Sequence, residues 1–175
     1  APYMRNSAGP LLEWLIYLLP FLVLIFLQVG AEELFFRGYL LRLVYSRKAS
    51  LFWAVYVPSC LFGLAHLDPI TYGFNSLLYV LNTALTGVIL CFITLWRRNI
   101  AMAMGIHFAV NISAILIIGQ GDSPIGSGAA IWLSTIAPKS ATMSTSMVFI
   151  TIVEIALYSI WARLRYGALI PSEAR

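Results

Sequence analysis

Six polar residues in an apolar chain have types and spacings that could do chemistry. Glu32, Glu33 and Arg37 stand in Gln28-Val-Gly-Ala-Glu-Glu-Leu-Phe-Phe-Arg37. His66 closes Phe62-Gly-Leu-Ala-His66, and His107 and Asn111 stand in Gly105-Ile-His-Phe-Ala-Val-Asn111. A carboxylate assisted by an imidazole can orient a water and take its proton as a general base. A His and an Asn side chain can donate to the oxyanion of a tetrahedral intermediate. Together they suit hydrolysis of a peptide bond without a covalent intermediate, a reading that requires no cofactor. The same donors could instead hold a divalent metal such as zinc that activates water, although the chain has no His-Glu-x-x-His motif. No serine or cysteine stands in a recognisable nucleophile motif.

Spacing divides these residues. Glu33 and Arg37 are four apart, so on a helix they share a face and can pair. A self-neutralising structural ion pair accounts for those two. It leaves Glu32, which points about 100° away on the side of Gln28 and Phe36. His107 and Asn111 are also four apart and project from one helix face. On the far side of that helix Ala101, Gly105, Ala109 and Ser113 form a small-residue stripe, a pattern that allows close backbone packing in membranes. The helix is therefore expected to be clamped along the stripe and to present His107 and Asn111 opposite. His66 taken alone reads as an interfacial residue or a helix cap.

The elements that carry these residues are membrane helices. Apolar residues make up 61% of the 175, charged residues 10%, and the mean hydropathy is +0.87, against about 25% charged in soluble domains. Continuous apolar runs indicate helices rather than the alternating segments of a barrel. The expected fold is all-α, a polytopic transmembrane bundle of about five spans plus interfacial segments, in one membrane-embedded domain over residues 1–175 with its motifs within 28–118. The first apolar run, Leu11 to Tyr45, is too long for one crossing, which predicts a break near Pro20 or Gly30 or a helix leaving the membrane near Arg42. The later spans are expected at about Leu51–His66 with a kink at Pro58, Phe74–Trp96, Ile100–Ile118 and Thr145–Leu164. A long loop, Gly119 to Ser144, carries an apolar patch at Ala129–Ala137 suited to the membrane interface.

A charge at bilayer depth costs roughly 2.5–3.5 kcal/mol on insertion scales, so each embedded polar residue needs a reason. Asn75, Tyr79, Asn82 and Thr86 form one face of the third span and read as interhelical hydrogen-bonding groups. Glu154 is isolated in the last span and is expected either to pair with a neighbour or to be protonated. Cys60 and Cys91 read as reduced, buried small hydrophobes. The net charge of +4 comes from loop arginines and suits lipid headgroups, and nothing suggests nucleic acid as a partner. Arg42, Arg47, Lys48, Arg97, Arg98, Arg163, Arg165 and Arg175 fall on one side, expected to be cytoplasmic, with Arg5 and Lys139 on the other. Five spans then place Arg175 inside and Ala1 outside. Ala1–Pro10 lacks the order of a signal peptide, so sequence upstream of Ala1 is expected.

Glu32-Glu33-x-x-x-Arg37, Phe62-x-x-x-His66 and His107-x-x-x-Asn111, in that order on separate helices, resemble the three-motif signature of the CPBP family of intramembrane proteases, the CAAX-protease or Rce1-like, abortive-infection type. The resemblance spans about Gln28 to Ile118. It implies that Glu32 and His66 activate the water, that His107 and Asn111 stabilise the oxyanion, and that Glu33 and Arg37 support the site. It further implies a membrane-anchored protein or peptide as substrate, the bilayer as surroundings and a prokaryotic inner membrane as location. Two other readings use the same residues: a non-catalytic bacteriocin-immunity or binding protein, and a proton-coupled transporter with Glu32, His66 and Glu154 as a relay. The chain shows no repeat symmetry that would favour the transporter.

Overall fold

A computed structural model describes residues 3–5, 11–120 and 129–171. Arg175 and the middle of the Gly119–Ser144 loop lie outside them. In lipid every backbone polar group must find its partner internally, and a helix does this within one segment. The apolar runs accordingly form α1 (Leu11–Glu33), α2 (Leu41–Lys48), α3 (Leu51–Leu64), α4 (Pro69–Tyr72), α5 (Asn75–Arg97), α6 (Ala101–Ile112) and α7 (Ala141–Tyr166). π-Helical segments at Leu34–Leu40 and Ser113–Ile117 follow α1 and α6. Among the described residues the fold is all-α apart from three short strands, β1 (Tyr3–Arg5), β2 (Ile118–Gln120) and β3 (Trp132–Ser134).

Among the described residues, three helical runs are long and apolar enough to cross a membrane: Trp14–Lys48, Asn75–Arg97 and Ala141–Tyr166. Leu51–Leu64 and Ala101–Ile117 are apolar but shorter. Many large apolar side chains on these helices are exposed, among them Phe149, Ile152 and Leu157 on α7. In water such surface would be a liability; against acyl chains it is the ordinary exterior.

The expected break at Pro20 or Gly30 does not occur, because α1 continues through both. Pro20 removes one backbone donor, and continuing the helix keeps the remaining backbone groups paired in apolar surroundings. The irregularity comes later, as the π-helical turns of Leu34–Leu40. Arg42, Arg47 and Lys48 on α2 are exposed, as suits a helix end that leaves the hydrocarbon.

The chain forms two compact units. The first holds residues 1–32 and 104–137. Its core is Ile25, Val29, Leu116 and Ala129, with Trp14, Phe21, Phe108 and Ile112 packed around it. Trp14 Nε1 donates to the Leu116 carbonyl at 3.2 Å. The sheet has the order β1-β3-β2, with β1 antiparallel to β3 (Met4 opposite Leu133) and β2 parallel to it (Gly119 opposite Leu133). Part of the patch expected at the interface is therefore strand β3.

The second unit holds residues 33–103 and 138–175. Within it α3 packs closely on α5. A Cβ added at Gly63 would stand 2.6 Å from the Val80 carbonyl oxygen and 2.8 Å from the Ala84 Cβ, so only glycine fits. Leu41, Val55, Cys91 and Phe92 form a core beside this crossing. The polar face of α5 bonds to neighbouring segments as expected. Asn75 donates to the carbonyls of Pro138 and Ser140 and accepts from the Ser144 hydroxyl. Asn82 donates to Thr151, and Thr86 donates to Glu154 at 2.8 Å, which supplies the neighbour expected for Glu154.

Two expectations are corrected here. The stripe of Ala101, Gly105, Ala109 and Ser113 is exposed, and no atom of the described residues lies within 4 Å of a Cβ built at Gly105. The buried face of that helix is instead the one bearing Ala103 and His107. Both cysteines are free, as expected, but only Cys91 is buried and Cys60 is exposed on α3.

Candidate active site

Glu33 and Arg37 lie in the second unit and form the ion pair that their spacing predicts. Arg37 Nη1 donates to Glu33 Oε1 at 2.8 Å, with both side chains fully buried. The guanidinium carbon stands 4.4 Å from the centroid of the Phe62 ring and 5.8 Å from that of Phe36. A planar, weakly hydrated cation stacks well on aromatic faces, which offsets part of its desolvation. Gly87 completes the cradle. A Cβ there would approach Ser59 at 3.2 Å and Arg37 Nη2 at 3.3 Å, so the bare glycine leaves the guanidinium its space.

His66 sits just beyond the end of α3 in the same unit. The last carbonyls of a helix lack donors from within it. Here the His66 backbone N–H turns to the Gly63 carbonyl at 3.0 Å, and the His66 ring bonds the Phe62 carbonyl through Nδ1 at 2.8 Å. A carbonyl can only accept, so Nδ1 carries the hydrogen, and in the neutral ring Nε2 is left as a base with an open lone pair. The ring packs edge-on against Phe62 and Tyr79, with centroids 4.8 and 6.0 Å away. The following turn is pinned. Asp68 caps α4 by accepting from the Thr71 N–H, and its own N–H donates to the buried Ser76 hydroxyl. The bond from Thr71 holds the Asp68 carboxyl below the usual carboxylate range.

The first unit brings together Gln28, Glu32 and His107. Glu32 Oε1 accepts from Gln28 Nε2 at 3.0 Å, one helical turn earlier. Its Oε2 is buried and has no hydrogen-bond donor among the described residues. His107 Nε2 lies 3.6 Å from that oxygen, an ion-pair distance too long for a hydrogen bond. The Glu32 side chain is 24% exposed, whereas that of Glu33 is 0% exposed. Asn111 stands half-buried one turn beyond His107 on α6. Phe108 meets Phe26 edge-on at 5.9 Å, and Met104 reaches the surface of α1 at Gly30. These contacts hold α6 against α1.

The model of the type II CAAX prenyl endopeptidase Rce1-like family matches residues 13–113, more than half of the chain and all six motif residues. The chain belongs to the Rce1-like family. This bears out the resemblance read from the three motifs. Rce1-like membership makes the chemistry that of a protease, and the apolar helices place it in a membrane with a membrane-associated protein as substrate. No curated protein and no solved structure matches the chain.

Three parts of the arrangement were not singled out by sequence reasoning. Gln28 was placed on the face of Glu32, and its (i, i+4) spacing was the signal for the bond now seen. Phe62 was noted only as a motif residue, yet its ring underlies Arg37 and its carbonyl holds His66. Gly87 and Ser59 left no signal, because a small residue in an apolar helix reads the same whether it faces lipid or a guanidinium. In neither unit do three His, Cys, Asp or Glu side chains of described residues gather as a metal-binding group.

Proposed function

We propose that the chain is an intramembrane endopeptidase that cleaves a membrane-anchored protein or peptide near its C-terminus or anchor, by attack of an activated water. The observation that carries this reading is the state of Glu32. One carboxylate oxygen is held by Gln28, and the other is buried, free of donors among the described residues, and 3.6 Å from His107 Nε2. A single water oxygen about 2.8 Å from each of those two atoms closes a triangle with both hydrogen bonds at ordinary length. Glu32 is then the base that takes the water proton as the oxygen attacks the scissile carbonyl.

His66 assists through Nε2, the nitrogen that its bond to the Phe62 carbonyl leaves unprotonated in the neutral ring. His107 and Asn111 donate to the oxyanion of the tetrahedral intermediate. The proton held by Glu32 passes to the departing amine, and the bond to the nitrogen breaks. Glu33 and Arg37 hold the helix that presents Glu32 and supply no atom to the reaction. Proton transfer by a positioned side chain is worth about 10²–10⁴-fold. The chain lies in a prokaryotic cell membrane with its basic helix ends, and its C-terminus, toward the cytoplasm.

The test is a cleavage comparison in the host membrane. N-terminal and C-terminal peptides are quantified in cells carrying wild type, Glu32→Gln or His66→Ala. The expected result is loss of the same set of cleavage products in both variants, with unchanged protein levels. Full cleavage in both would end this reading.

A further inference from the structure

His66 Nε2 can serve as a base only while its ring keeps one direction, and a single hydrogen bond does not ensure that. The bond from Nδ1 to the Phe62 carbonyl fixes which nitrogen carries the hydrogen. It leaves the ring able to pivot about the line between the two atoms. The Phe62 ring, 4.8 Å away, comes from one turn earlier in the same chain segment and moves with His66. Tyr79 ties the imidazole to a different element, α5, edge-on with centroids 6.0 Å apart and planes at 84°. We propose that Tyr79, braced by Tyr72, is a positioning residue that holds the imidazole with its hydrogen on Nδ1 and Nε2 in one direction, a role that rests on the part His66 takes in the proposed reaction.

Three observations carry this. First, the backbones of Tyr79 and His66 share one frame. The α3–α5 crossing, where a Cβ at Gly63 would stand 2.6 Å from the Val80 carbonyl oxygen, lies three residues before His66 and one after Tyr79. The Thr83 hydroxyl also donates to the Tyr79 carbonyl at 2.9 Å. Second, Tyr79 is itself held. Tyr72 lies against it with centroids 4.9 Å apart and planes at 32°, an attractive separation for two rings. Tyr72 stands in a turn that is fixed at both ends. Its N–H donates to the Asp68 carbonyl at 3.1 Å, and the Gly73 N–H donates to the Pro69 carbonyl at 2.9 Å. Gly73 then reverses the chain at φ 57°, where a Cβ would also meet the Lys139 stem at 3.4 Å. Third, the turn sorts its large side chains. Ile70 and Phe74 are 86% and 93% exposed, whereas Tyr72 is half-buried against Tyr79. Neither tyrosine is part of the core of Leu41, Val55, Cys91 and Phe92, so their packing serves the His66 end of α3.

A reacting group must be held to within about 0.5 Å and 10–20° by neighbours that are themselves locked. A ring set between Phe62 and Tyr79, with Tyr79 set against Tyr72, is held in that way.

The test reads the ring nitrogens by nitrogen NMR in the full chain purified in detergent, at about pH 8.5, above the usual histidine range. The chain has 2 histidines, so H66N assigns the signals. Wild type and Y79F are expected to show one Nδ1–H tautomer at His66, and Y79L to show both tautomers. In the host membrane, formation of the products that Glu32→Gln lacks should slow about 10–10²-fold in Y79L, the usual penalty for a slightly misplaced group, and return to within about twofold of wild type in Y79F. Y72L should give the same two changes in smaller degree. L77A, which alters an exposed side chain of the same helix, should give neither. A single Nδ1–H tautomer in Y79L would overturn the proposal, and so would Y79L cleaving at the wild-type rate. Y79F behaving like Y79L would give the role to the hydroxyl and overturn the ring. Identical products from wild type and Glu32→Gln would end the protease reading instead, and the tautomer comparison would still decide whether Tyr79 holds His66. Should Y79L fail to fold, Y72L carries the same two readouts.

Discussion

Glu32 and Glu33 are neighbours in sequence with opposite surroundings. Glu33 is sealed, and its Oε1 is bonded to a guanidinium that is itself stacked on Phe62. Glu32 is partly open, with one oxygen tied to Gln28 and the other unspent beside His107. The cause is the 100° step between adjacent helical residues, which gives the two carboxylates different surroundings. The contrast teaches that a charge in a membrane helix is made tolerable in two ways. One neutralises it with a partner and leaves it chemically silent. The other half-satisfies it and keeps it available.

The sharpest way to break this contrast is to make the same change at both positions. Glu32→Gln keeps size and shape, so the unfolding midpoint in detergent is expected to stay within about 2 °C of wild type, while cleavage falls by about 10²–10⁴-fold. Glu33→Gln leaves Arg37 buried without its counter-charge and is expected to destabilise by about 3–5 kcal/mol. Adding Arg37→Met to that variant should restore most of the stability, because an apolar pair of similar volume often replaces a buried ion pair at little cost. Thermal unfolding of the single and double variants decides it, and a double variant no more stable than the single one would refute the sealed-pair description.

A smaller effect is expected at Gly63, which has no part in either carboxylate's surroundings. Gly63→Ala forces the α3–α5 crossing apart and should cost about 1–3 kcal/mol, read as a lower unfolding midpoint. The smallest is at Gln28. Its bond orients Glu32 in a partly exposed setting, so Gln28→Ala should slow cleavage about two- to tenfold with stability unchanged. A Gln28→Ala protein as inactive as Glu32→Gln would mean that Gln28 does more than orient.

Much of this was legible in the chain itself. The (i, i+4) spacing of Glu33 and Arg37 predicts their pair, and the pair is there at 2.8 Å. The polar face of Asn75, Asn82 and Thr86 predicts interhelical bonds, and those bonds reach Ser144, Thr151 and Glu154. Helix packing was legible only in kind. Small residues were expected to mark a close contact along Ala101, Gly105, Ala109 and Ser113, yet that stripe is exposed, and the close contact runs through Gly63, Ala84, Gly87 and Ser59. Lipid tails and apolar side chains exert nearly the same pull, so hydropathy cannot say which small-residue face meets a helix. The π-helical turns at Leu34–Leu40 were equally silent, since they depend on packing rather than on any one residue type.

Phe62 serves two masters with two parts of itself. Its ring lies against the Arg37 guanidinium, and its carbonyl fixes the hydrogen on His66 Nδ1. The ring is encoded and can be lost by a single nucleotide change, whereas the carbonyl belongs to every amino acid and survives any substitution that keeps the turn. Random variation at this codon can therefore erode the cushion beneath the arginine while leaving the histidine's tautomer untouched.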